Sequence, residues 1–141
     1  MPKLLYEGVL SGELMKTLPS EKILVVEHER IIAMDIDRIL RGSGYTDTTL
    51  AFSIEEAMRK IPAIKPDLVL IDDQICGVGD EKDDCRKIVE SFNIPILYLS
   101  SSSPLKLRRD RRDRYTHYLH KPFDADEVSS SVKRILSKGR K

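Results

Sequence analysis

The stretch Pro66-Asp67-Leu68-Val69-Leu70-Ile71-Asp72 decides the fold. Leu68 to Ile71 is a continuous aliphatic run, not an alternation of apolar and polar residues, and such runs suit strands buried on both faces between helices, as in a parallel sheet. Asp72 closes the run with an acid. Two later apolar runs also lead into reactive side chains, Ser100 after Ile96-Leu97-Tyr98-Leu99 and Lys121 after Thr116-His117-Tyr118-Leu119. An acid, a hydroxyl and an amine at the carboxyl ends of three successive strands make a candidate site.

Two further strands are predicted, Ile23-Leu24-Val25-Val26 and Thr48-Thr49-Leu50-Ala51, and helical patterns fall between the five. Ile32, Ile36, Ile39 and Leu40 repeat at three and four residues, and Gly42 and Gly44 stop that helix. Ser53 with Glu56 forms a capping box ahead of Ala57, Met58 and Ile61, and Asp124 with Glu127 forms another before Val128, Val132, Ile135 and Leu136. Asp80 to Phe92 carries Cys85, Ile88, Val89 and Phe92 on one stripe. This alternation predicts an α/β fold with right-handed crossovers and a doubly wound five-stranded parallel sheet, whose ligand crevice opens where strand carboxyl ends diverge. Asp72 is therefore expected to be exposed in a cleft.

The chain has 141 residues, 40% of them hydrophobic, and a net charge of +1. That supports one domain with a single core. No apolar stretch approaches the roughly 20 residues of a membrane span, and Glu7 and Glu13 among the N-terminal leucines are unlike a secretory signal. A cytoplasmic protein without membrane contact is the expectation. Cys76 and Cys85 form no close pair and are expected to be reduced thiols. Residues 1–20 read as an N-terminal extension: Leu4, Leu5, Val9, Leu10, Leu14, Met15 and Leu18 recur at near-helical spacing, interrupted by Gly8 and Gly12. It can pack on its own body, pair with a second copy as a homodimer, or dock on a partner. The domain proper is expected over residues 21–137, and the basic tail over residues 138–141 is expected to fray together with the residues just after Leu136.

Taken together, Ile23-Leu24-Val25-Val26-Glu27, Pro66 to Asp72, Pro95-Ile96-Leu97-Tyr98-Leu99-Ser100 and Lys121-Pro122-Phe123 resemble the receiver domain of two-component response regulators over about residues 21–137. The resemblance implies the flavodoxin-like receiver fold with strand order 2-1-3-4-5. It implies that Asp72 accepts a phosphoryl group from a sensor histidine kinase, that Ser100 hydrogen-bonds that group, that Lys121 pairs with it, and that Tyr118 is the aromatic switch. A magnesium ion would be held by Glu27, Asp72 and the backbone carbonyl of Gln74.

The residue types suit that chemistry. A carboxylate attacking phosphorus needs its charge neutralised, because the transferring group spreads negative charge over three oxygens. Lys121 supplies one positive charge. Ser100 offers a donor expected to engage only after transfer, pulling the end of its strand inward and vacating space for Tyr118, which is a local charge event tipping a two-state packing.

The chain departs from the receiver pattern at the pocket. Receivers usually carry two adjacent acids after the first strand, where this chain has Glu27-His28. Imidazole nitrogen suits zinc, copper or nickel, so His28 weakens a magnesium site rather than completing it. Three readings stay open: a weak metal site, a protonated His28 standing in for metal charge, or a site that is not phosphorylated. The loop after the acceptor also deviates, with Cys76 and Gly77-Val78-Gly79-Asp80 replacing the usual residues. Asp73 is expected to point to the opposite side from Asp72, as a solvated turn residue.

Leu105 to Arg114 holds six basic and two acidic residues, a local net charge of +4. It reads first as a solvated helix with internal ion pairs. In receivers this neighbourhood forms the output surface, so Lys106, Arg108, Arg109, Arg111 and Arg112 are the candidate interaction residues for an acidic downstream protein partner. Nucleic acid is disfavoured, since no helix-turn-helix pattern follows and no aromatic residues interleave with the arginines. His117 and His120 fall on opposite faces of a strand and make no metal pair. The expected function is a stand-alone receiver, switched by phosphorylation, with output through binding because no effector domain follows Leu136. The alternative is a phosphorylation-independent pseudo-receiver acting as an interaction module. An enzyme in its own right is not expected, as no phosphate-binding glycine loop follows the first strand.

Overall fold

The computed structural model describes residues 21–76, 91–101 and 116–138. These contain β1 (Lys22–Val26), α1 (Arg30–Gly42), β2 (Asp47–Ala51), α2 (Ile54–Ile64), β3 (Leu68–Asp72), β4 (Ile96–Ser100), β5 (Thr116–His120) and α3 (Ala125–Lys138), with a 3-10 turn over Asp73–Cys76 leaving β3. The extension at residues 1–20, most of the stripe from Asp80 to Phe92 and the basic stretch with Lys106, Arg108, Arg109, Arg111 and Arg112 lie outside the described residues, as do Gly77 to Asp80 and residues 139–141.

The five strands form one sheet in the order β2-β1-β3-β4-β5, and every neighbouring pair is parallel. This is the doubly wound, flavodoxin-like receiver fold. Burial follows position in the sheet. All five residues of central β3 are buried, whereas the edge strands β2 and β5 are mostly half-buried, because only one side of an edge strand meets another strand.

Two apolar layers sandwich the sheet. Ile23, Val25, Leu70, Leu97 and Leu99 pack with Ile36 and Leu40 of α1 and with Val128, Val132 and Ile135 of α3. Leu24, Val26, Val69, Ile71 and Ile96 pack on the other face with Ala57 and Ile61 of α2. Each fully covered Leu or Ile contributes about 2 kcal/mol by its removal from water. Truncating one at the centre, such as Leu70, costs more because a cavity remains.

Local signals set the helix limits. Ser53 Oγ accepts from the Glu56 amide at 3.1 Å, but Glu56 Oε1 accepts from the Phe52 amide, one residue ahead of the box partner that the sequence suggests. The second box is reciprocal: Asp124 Oδ1 accepts from the Glu127 amide at 2.8 Å, and Glu127 Oε1 from the Asp124 amide at 3.1 Å. At the end of α1 the Ser43 amide donates to Ile39 and Leu40 carbonyls, and Gly44 then takes φ +100°, a left-handed conformation that glycine adopts without side-chain clash. Helix α3 continues past Leu136 to Lys138.

Cys76 is disulfide-bonded, where the sequence reading expected a reduced thiol. Spacing along the chain neither demands nor forbids a bridge, because the geometry that permits one is three-dimensional. Cys85 lies outside the described residues.

Candidate functional site

The topology produces the site. From β1 the chain winds outward to β2, while β3 lies on the other side of β1 and leads to β4, so the carboxyl ends of β1 and β3 flank the point where the winding reverses. The Glu27 amide donates to the Ala51 carbonyl at 3.0 Å, which extends strand pairing one residue beyond β1. Because Val26 pairs with Ile71, the next residues along, Glu27 and Asp72, stand side by side.

Asp72 is 3% exposed, buried at the end of β3 rather than open in a cleft as the sequence reading expected. Its two oxygens explain the difference. Oδ2 accepts from Lys121 Nζ at 2.8 Å, and Oδ1 accepts from the Gln74 amide at 2.9 Å. A buried carboxylate is tolerated when it is paired and hydrogen-bonded, and here both conditions hold. Lys121 is itself placed by the backbone, since its amide donates to the Ser100 carbonyl at 2.8 Å and its peptide bond to Pro122 is cis.

Glu27 is 1% exposed. Oε1 accepts from the Glu29 amide at 3.1 Å, and Oε2 is buried without a donor. The neighbouring carboxyl of Asp72 offers only oxygen, so a proton held between the two carboxyls, or a cation, is what satisfies Oε2. Burial, followed by the contact with Asp72, pushes Glu27 up to about 7. Burial also acts to raise Asp72, but the hydrogen bonds from Lys121 and the Gln74 amide, together with the Glu27 carboxyl when it carries the proton, outweigh it and hold Asp72 below the ordinary aspartate value. Two adjacent carboxyls are thereby driven apart in acidity.

The other site residues fall around this pair. Ser100 is fully buried, and its Oγ donates to Asp73 Oδ2 at 2.5 Å. Asp73 is half-buried rather than a solvated turn residue: β3 ends at Asp72, and the 3-10 turn that starts at Asp73 presents its carboxylate to the end of β4. Tyr118 is half-buried and pairs in register with Tyr98, their rings stacked with centroids 5.4 Å apart and planes at 22°. His28 is 50% exposed, with Nδ1 3.4 Å from Glu27 Oε1 and Nε2 3.8 Å from Glu29 Oε1. It lies between the buried Glu27 and the exposed Glu29. His117 and His120 both lie on β5, and the described metal-capable group is Glu27-His28-Glu29 instead.

Sequence reasoning passed over one participant and assigned another to solvent. Glu29 orients Glu27 through its amide and faces His28, and Asp73 holds Ser100. No periodicity marks either residue, since both act where regular structure has just ended.

The donor set suits magnesium in part. The carboxylates of Glu27 and Asp72 are hard oxygen donors, and the partnerless Glu27 Oε2 is the kind of atom a cation satisfies. The imidazole of His28 adds nothing to such a set.

Comparison with known proteins agrees with this fold. The chain is 29% identical over 119 residues to sporulation initiation phosphotransferase F of Bacillus subtilis, covering 83% of this chain and 94% of that protein. It is 26% identical over 116 residues to the phyllosphere-induced regulator PhyR of Methylorubrum extorquens, covering 82% of this chain but only 43% of PhyR. A receiver domain protein from Clostridium thermocellum superposes with a TM-score of 0.72 at 22% identity, over 85% of this chain and 97% of that one, a likeness of fold. The family model described as the response regulator receiver domain matches residues 23–133, from β1 well into α3, and the chain belongs to that family.

Proposed function

We propose that the chain is a phosphorylation-switched receiver in which Asp72 takes a phosphoryl group from a histidine of a sensor kinase and passes the change on through protein binding. The observation that carries this reading is the Asp72 carboxylate at the switch point, ion-paired at 2.8 Å to Lys121 and set against Glu27. In the transfer, the phosphorus–nitrogen bond to the donor imidazole breaks, its electron pair stays on nitrogen, and an Asp72 oxygen forms the new bond to phosphorus. Asp72 is kept ionised for attack by its pairing with Lys121, and the ammonium then faces the added phosphoryl oxygens. Glu27, Asp72 and the Gln74 carbonyl would hold magnesium, which supplies charge neutralisation. The chain acts as a signalling module in the cytoplasm, not as a catalyst on a separate substrate.

Relatives support the reading by name: one is a sporulation initiation phosphotransferase and another a regulator. Helix α1 adds a docking feature. It begins three residues after Glu27 and exposes Ile31 and Met34, at 83% and 57% the two large apolar side chains most open to solvent among the described residues. An apolar pair one helical turn apart beside the pocket suits a helical kinase partner.

One observation favours a second reading, an interaction module that works without phosphorylation. His28 stands where a second acid would strengthen the metal site, and Glu27 is half-protonated near pH 7. The two readings separate by intact mass after incubation with a small phosphodonor and magnesium. One added phosphoryl group, absent in Asp72→Asn, is the expected result. An unmodified mass under conditions that label a conventional receiver overturns phosphorylation and leaves the constitutive module.

A further inference from the structure

We infer that Asp73 is a positioning residue that latches Ser100 in the unphosphorylated arrangement, so that the phosphoryl group must draw the Ser100 hydroxyl away from Asp73 before the domain switches. The inference rests on Asp72 being the phosphoacceptor.

The geometry carries it. Ser100 is fully buried at the end of β4, and its Oγ donates to Asp73 Oδ2 at 2.5 Å. In the β3–β4 register Asp72 pairs with Leu99, so the next residues along, Asp73 and Ser100, are opposite each other. The Ser100 carbonyl meanwhile accepts from the Lys121 amide at 2.8 Å, tying its backbone to the residue whose ammonium grips Asp72. Movement of Ser100 toward a phosphoryl group therefore begins from an occupied position. A hydroxyl-to-carboxylate bond is charge-assisted and stronger than one between neutral partners, and in a buried setting it has little competition from water.

A ligand shifts a two-state equilibrium only by its differential affinity for the two states, and a contact made in just one state counts against the ligand of the other. The Asp73–Ser100 bond is made in the resting state alone if the phosphoryl group takes the same hydroxyl. Asp73 thereby raises the threshold for switching. Its carboxylate also directly follows Asp72 in the chain, so its removal could act through charge alone, and the test must separate the two effects.

The experiment measures affinity for beryllofluoride with magnesium, a phosphoryl mimic, by fluorine NMR in the wild type, Asp73→Asn, Ser100→Ala and the double variant. The latch predicts tighter binding by Asp73→Asn, on the order of fivefold, and loss of that gain when Ser100 is already alanine. Equal affinity of wild type and Asp73→Asn overturns the latch. A gain that persists in the Ser100→Ala background also overturns it, by assigning the effect to charge. If no protein binds the mimic, the phosphoacceptor reading fails separately, and the latch is judged in the ligand-free protein. There it requires a Ser100 hydroxyl proton slow to exchange in the wild type and fast in Asp73→Ala, and fast exchange in both overturns it.

Discussion

Glu27 and Asp72 stand side by side at the ends of β1 and β3, one carboxyl pushed up to about 7 and the other held low by Lys121. A carboxyl whose folded-state value lies above its unfolded one stabilises the fold below its ordinary value near 4.5, and that contribution is lost as pH rises through 7. Between pH 5 and pH 8 the wild type should therefore lose on the order of 2 kcal/mol relative to Glu27→Gln, which carries no titrating group there. Denaturant midpoints of both proteins at the two pH values check this. A difference that stays constant across the interval would mean that Glu27 is ionised throughout.

Lys121 is the donor to Asp72 Oδ2, so Lys121→Met should leave that carboxylate short of a partner. The Asp72 titration should move upward, read by carboxyl carbon NMR, because the main group that lowers it is gone. Its stabilising contribution, present above the ordinary aspartate range and lost as pH falls, shrinks accordingly. Labelling by a small phosphodonor should slow on the order of a hundredfold, as expected when a charge aimed at the transferring group is removed. Labelling at the wild-type rate would show that Lys121 has no part in transfer.

The sheet and the three described helices were legible because burial writes itself into residue choice. Leu68 to Ile71 read as a central strand from its uninterrupted apolar character, and β4 read the same way, while Ser53 and Asp124 announced their helices by chemistry that acts within three residues. The site was legible only as far as strand ends predict position. Asp72, Ser100 and Lys121 do converge at one rim, but the burial of Asp72 follows from the Lys121 and Gln74 contacts, which join segments up to 49 residues apart. Alternation predicts the wrong side for Asp73 because β3 gives way to a 3-10 turn at that residue. The bridge at Cys76 left no trace in spacing.

His28 lies 3.4 Å from Glu27 Oε1 without joining the pocket as an oxygen donor. Replacing it by Asp should supply one, and magnesium affinity should rise on the order of tenfold with a matching gain in phosphodonor labelling at limiting metal. Titration calorimetry and intact mass give the two readouts. Unchanged affinity would place the side chain at this position too far from the metal to matter.

Ile31 and Met34 sit on the solvent side of α1, opposite the buried Ala33, Ile36 and Leu40. Their exposure means that polar substitution should leave the fold intact, within about 0.5 kcal/mol of wild type. If this face receives the kinase, Ile31→Asp and Met34→Asp should each slow phosphotransfer from a histidine-phosphorylated kinase domain on the order of tenfold or more, the scale of losing an apolar anchor at an interface. Labelling by a small phosphodonor should stay at the wild-type rate, because that reagent needs only the pocket. Equal slowing with both donors would point to damage transmitted to Asp72, and no slowing with either would move the docking face elsewhere on the domain.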